Sequence, residues 1–125
     1  MKTAFVFPGQ GSQYVGMCRD LFDKYTIVQK IFQRADKVLG FPLTEMIFNG
    51  EEETLQLTCN AQPAILTVCV ACAELLYQQG ITCDVAAGHS LGEYSALVAS
   101  GVVGFEETVF SVRQRGHFMQ EAVPV

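Results

Sequence analysis

The chain has 125 residues, half of them hydrophobic, and thirteen acidic side chains against eight basic ones leave a formal charge of −5. That length accommodates one domain with a real core, and an acidic balance without a basic stripe excludes nucleic acid as a natural partner. The apolar stretch before Pro8 is too short for a signal peptide, and the long apolar run after Asn60 contains Glu74 and glutamines near its end. No membrane segment is therefore expected, and the chain reads as a cytoplasmic protein.

In chain order, Thr3-Ala4-Phe5-Val6-Phe7 is a short apolar strand that breaks into Pro8-Gly9-Gln10-Gly11-Ser12-Gln13. Loops at the carboxyl ends of strands build the sites of open α/β sheets, so Gln10 could aim its amide at a reacting group. The alternative is an ordinary Pro-Gly turn. Ile27, Ile31, Ala35 and Val38 recur at helical spacing over residues 26–39, with Gly40 as the stop. Glu51-Glu52-Glu53 reads as a solvated loop. Asn60 is expected to cap a long apolar helix from Ala61 to Gln79, with Pro63 in its first turn and Gly80 beyond its end. Cys69 and Cys72 have C-x-x-C spacing on that helix but no second ligand pair, so Cys18, Cys59, Cys69, Cys72 and Cys83 read as free thiols and no metal site is assigned.

Residues 84–88 read as a buried parallel strand, followed by Gly88-His89-Ser90-Leu91-Gly92 and then a helix. A serine between two glycines at a strand-to-helix junction is the pattern of a nucleophile elbow. The turn is too tight for larger neighbours, and the helix directs its positive end and unpaired N–H groups at the serine. A plain serine N-cap is the alternative. Phe105 to Met119 reads as a further helix bearing Arg113 and Arg115, which solvation on a surface face would also explain. The expected fold is α/β. A two-stranded sheet covers little of the apolar helix, so further strands are expected to complete it.

Four segments carry a resemblance: Phe7-Pro8-Gly9-Gln10-Gly11-Ser12-Gln13, Asn60-Ala61-Gln62-Pro63-Ala64, Gly88-His89-Ser90-Leu91-Gly92-Glu93-Tyr94-Ser95-Ala96-Leu97 and Arg115-Gly116-His117-Phe118-Met119-Gln120. Together they resemble the malonyl-CoA:acyl carrier protein transacylases of bacterial fatty-acid synthesis. The resemblance implies a partial α/β-hydrolase-like acyltransferase core, parallel strands with flanking helices, without the carboxyl-terminal strands and the small ferredoxin-like subdomain. It implies Ser90 as the acylated nucleophile, with Gln10 and the Leu91 N–H as the oxyanion hole. Arg115 would pair with the malonyl carboxylate, and Gln62 and His89 would line the site. Malonyl-CoA and acyl carrier protein are the implied partners, and no separate cofactor is implied.

A serine hydroxyl needs a base, and the histidines present are His89 and His117. The first diverges from its neighbour Ser90 at an elbow, and the second sits near the end of the last helix. In the family the base is a downstream histidine, so residues 1–125 are expected to be the amino-terminal part of an acyltransferase domain, with little or no activity alone. A polyketide-synthase-type acyltransferase, an acyl hydrolase and a non-catalytic acyl- or carrier-binding piece remain open alternatives.

Overall fold

A computed structural model describes residues 1–123. Two strands, β1 (Ala4–Phe7) and β2 (Val85–Gly88), are joined and followed by helices α1 (Arg19–Lys24), α2 (Thr26–Leu39), α3 (Leu43–Asn49), α4 (Glu52–Gln56), α5 (Thr58–Gln78), α6 (Leu91–Ala99) and α7 (Phe105–Ala122). The strands pair in parallel with Phe7 opposite Gly88. Both therefore end at the same edge, and the Pro8–Gln13 loop and the Ser90 turn leave the sheet side by side.

Phe5 and Phe7 point inward while Ala4 and Val6 point out, the period of two that a strand imposes. Asp84 ties the start of the ladder, accepting from Thr3 N–H at 2.7 Å and donating its own N–H to the Thr3 carbonyl at 2.8 Å. One expectation fails here: β2 is not buried, and Val85 is 57% exposed. With two strands among the described residues, one sheet face lacks a cover.

Helix α2 runs over the expected residues, but its buried stripe is Val28, Ile31, Phe32 and Ala35, with Ile27 and Val38 at its margins. Phe32 joins Phe22 and Phe48 in an aromatic cluster with centroids 5.0–5.5 Å apart. Gly40, at φ 75°, takes the left-handed conformation that ends α2. The acidic run is exposed as expected, yet not a loop. Glu52 and Glu53 open α4, where carboxylates meet the positive helix end, and Glu52 Oε1 accepts the Val15 N–H at 3.0 Å.

Helix α5 starts at Thr58, earlier than expected, so Asn60 is not its cap and Pro63 lies beyond the first turn. A proline has no N–H to offer the carbonyl four residues back, and that carbonyl belongs to Cys59. Arg113 supplies the missing donor: its Nη1 bonds the Cys59 carbonyl at 2.9 Å and also the Asn60 side-chain oxygen. Asn60 Nδ2 in turn donates to the Thr54 carbonyl at 2.9 Å.

Residues 60–67 of α5 are all buried. Helices α2, α6 and α7 enclose them, rather than the sheet, which meets the far end of α5 through Phe5 and Tyr77, rings 5.6 Å apart. The helix has the length and apolarity of a membrane span, but 72% of its apolar window is inside the fold. Where α7 crosses α5, a Cβ on Gly116 would sit 2.5 Å from the Cys59 Cα. Only glycine permits that approach, and it brings Arg113 and Arg115 within reach of the start of α5.

Candidate active site

The turn after β2 is built by its two glycines. A Cβ on Gly88 would lie 2.0 Å from the Gly92 carbonyl oxygen, and one on Gly92 would lie 2.3 Å from that of Phe7. Both obstacles are backbone, which cannot step aside. Between them Ser90 adopts φ 55° and ψ −111°, a conformation costing on the order of 1–3 kcal/mol in a non-glycine residue. Ser90 is exposed and its side chain makes no capping bond to α6. That geometry argues against the plain N-cap reading. Gly92 and Glu93 donate their N–H groups back to the carbonyls of His89 and Ser90, each at 3.0 Å. The Leu91 N–H, first in α6, has no acceptor among the described residues, while its side chain is buried. It is an available donor beside the Ser90 hydroxyl.

Arg115 reaches this hydroxyl from α7. Its Nη2 donates to Ser90 Oγ at 3.2 Å and its Nη1 to Gln62 Oε1 at 2.7 Å. The Tyr94 ring lies beneath the guanidinium, 5.4 Å from its centre. Among the described residues no carboxylate lies within 4.0 Å of it, and the ion pairs present are Arg19–Asp23 and Arg34–Glu106. A half-buried cation is thus held by two neutral oxygens, leaving its charge uncompensated.

The network continues away from Ser90. Gln62 Nε2 donates to Thr58 Oγ1 at 3.2 Å and contacts Met119 Sδ at 3.3 Å, and Thr58 Oγ1 donates to Gln10 Oε1. Four side chains singled out in the sequence, Ser90, Arg115, Gln62 and Gln10, therefore lie on one hydrogen-bonded path with Thr58 as its joint. Gln10 and Thr58 also line a cleft of about 420 Å³ between the β1 loop and the end of α7, with Leu57 and Met119 as apolar walls.

The remaining expected site residue, His89, is exposed and stands against Gly9, where a Cβ would lie 3.9 Å from the His89 Nδ1. Neither His89 nor His117 hydrogen-bonds Ser90 among the described residues. Thr58 and Tyr94 were missed by sequence reasoning. Threonine at the start of a helix carries no distinguishing signal, although Tyr94 falls inside the segment after Ser90, four residues on and so on the facing side of α6. The resemblance singled out Arg115 rather than Arg113, and the two face different ways: Arg113 faces the α5 backbone and the Phe41 ring, 4.3 Å away, and Arg115 faces Ser90.

An acyl transferase domain model matches residues 4–125. The malonyl CoA-acyl carrier protein transacylase of Bacillus subtilis (strain 168) is 52% identical over 123 residues, covering 98% of this chain and 39% of that protein. Among solved structures, the transacylase of Streptococcus pneumoniae superposes with a TM-score of 0.95 at 52% identity, over 98% of this chain and 40% of its own. A malonyl-transacylase solved in complex with a type II polyketide synthase acyl-carrier protein gives the same TM-score at 45% identity, over 99% and 40%. The chain thus spans about 40% of the length of these relatives. With the domain model matching nearly the whole chain, the chain belongs to the acyl transferase domain family.

Proposed function

We propose that the protein carrying this chain moves a malonyl group from CoA to the phosphopantetheine thiol of an acyl carrier protein through an ester on Ser90. The observation that carries the proposal is the Arg115 guanidinium, one hydrogen bond from Ser90 Oγ and without a carboxylate partner among the described residues. A malonyl thioester brings the missing carboxylate. The guanidinium fork can bind it through two charge-assisted hydrogen bonds and hold the thioester carbonyl against Ser90.

In this scheme Ser90 Oγ attacks the thioester carbonyl, and the negative charge on that oxygen is met by the Leu91 N–H and Gln10 Nε2. The carbon–sulfur bond breaks, CoA leaves as its thiol after taking the proton, and malonyl-Ser90 remains. The carrier thiol then attacks the ester and restores the serine, a ping-pong cycle. Arg115 donates to Ser90 Oγ, so the serine proton is free to leave toward a base. With neither histidine of the chain bonded to Ser90, the base is proposed to be the downstream histidine that the resemblance implies. His89 is assigned a place in the wall of the site rather than a proton-transfer role. The cytoplasm is the proposed setting, and the buried α5 supports it.

The test is Arg115→Ala in the intact protein. Losing two charge-assisted bonds is expected to lower kcat/KM for malonyl-CoA roughly a hundredfold and that for acetyl-CoA less than about tenfold. Equal losses on both substrates would make Arg115 a structural residue. Ser90→Ala should abolish formation of the labelled acyl-protein from either thioester.

A further inference from the structure

We infer that Thr58, the first residue of α5, is a positioning residue whose single hydroxyl sets which way round both Gln10 and Gln62 present their amides. The inference rests on the transfer proposed above. Arg115 starts the relay, because a guanidinium has donors and no acceptor. Gln62 must therefore turn its oxygen to Arg115, at 2.7 Å, which leaves its NH₂ to donate to Thr58 Oγ1 at 3.2 Å. With a lone pair of Thr58 so engaged, the hydroxyl proton is directed to Gln10, which must receive it on Oε1. Gln10 Nε2 is the group left over, and it has no partner among the described residues. An oxyanion needs a donor, and this relay turns the donor end of Gln10 outward.

Without the hydroxyl both amides lose that instruction. A flipped Gln10 offers an oxygen to a developing oxyanion, which slows transfer of any acyl group. A flipped Gln62 confronts Arg115 donor to donor and displaces it, a penalty felt only by a substrate with a free carboxylate. The two effects give Thr58 a signature that a packing role lacks: loss on malonyl-CoA larger than loss on acetyl-CoA, and recovery by any residue that restores a hydroxyl.

The experiment compares Thr58→Val, Thr58→Ala and Thr58→Ser in the intact protein with both thioesters, alongside Ser90→Ala and thermal melts. Removing part of an oxyanion contact predicts a fall in kcat of about tenfold for acetyl-CoA in Thr58→Val, and a fall in kcat/KM several times larger for malonyl-CoA. Thr58→Ser should return most of both, and melting should shift little. If the valine variant does not fold, the alanine variant carries the same comparison. Wild-type rates without the hydroxyl, equal losses on the two substrates, or no recovery by serine would each overturn the positioning role while leaving the proposed reaction intact. Transfer that persists in Ser90→Ala would instead remove the reaction, and the role of Thr58 with it.

Discussion

Cys18 and Cys72 show how one neighbour divides two identical side chains. They line the same cleft of about 290 Å³, where the β1 loop meets α5. The neighbouring Cys18 thiol holds the Cys72 thiol down to about 7 against the opposing effect of burial, while Cys18 itself is pushed well up. Burial pushes nearby Cys69 up to about 11. A thiolate is the reactive form, so the reactive fraction of Cys72 is expected to grow as pH rises through about 7. Alkylation by iodoacetamide, followed by peptide mass mapping across pH, should therefore label Cys72 first, with its rate rising through neutrality. Cys18→Ala should move that rise up toward the ordinary thiol value of 9.0. Among single residues the sequence was most informative where motif and backbone coincide. Ser90 was legible because Gly88 and Gly92 announce a turn that only glycines allow. Thr58 was not, since its meaning arises from Gln10, 48 residues away in the chain, and from Gln62 on the next turn of its own helix.

Helix α5 shows what an apolar run leaves open about the element it forms. Its existence followed from that run, but its start did not, because Asn60 and Pro63 are ordinary start signals. Asn60 commits its side chain to Thr54 and Arg113 instead of to capping, and Pro63 is tolerated inside the helix because Arg113 donates to the carbonyl it leaves open. Removing that donor strands a carbonyl, so Arg113→Met is expected to destabilise the fold by about 2 kcal/mol. Pro63→Ala restores a backbone N–H at the same place. The two substitutions should therefore be coupled, with Arg113→Met costing less in the Pro63→Ala background by about 1 kcal/mol in chemical denaturation. Additive effects would show that Arg113 stabilises through Asn60 and the Phe41 ring rather than through the Cys59 carbonyl.

Across the whole molecule, α7 is fastened at two points. Gly116 presses it to α5, and near its start Glu106 pairs with Arg34 of α2, with Nη2 to Oε2 at 2.9 Å. The Arg34 guanidinium holds the Glu106 carboxyl below its ordinary value of 4.5. A carboxyl depressed in the folded state adds stability above its unfolded value and loses it as pH falls through the folded one. Both partners are substantially exposed, so the contribution is below about 1 kcal/mol and weakens with salt. Melting temperature measured below pH 4.5 should therefore fall less steeply in Glu106→Gln than in the wild type. The arrangement of helices around α5 was the part least visible in sequence. An apolar helix shows that it is buried but not by what, and here α2, α6 and α7 supply the cover expected of a sheet.

The register of β1 on β2 has a kinetic side. Phe7 and Gly88 stand opposite each other although 81 residues separate them, as they do Thr3 and Asp84. Closing a flexible loop of that length costs about 4 kcal/mol of chain entropy, with nothing gained until the ladder forms. Helices α2 and α5, by contrast, form from neighbours in sequence. The Gln10 loop and the Ser90 turn are therefore expected to meet late in folding, after the helices between them have shortened the effective path, so that a chain with its helices formed can still lack its site.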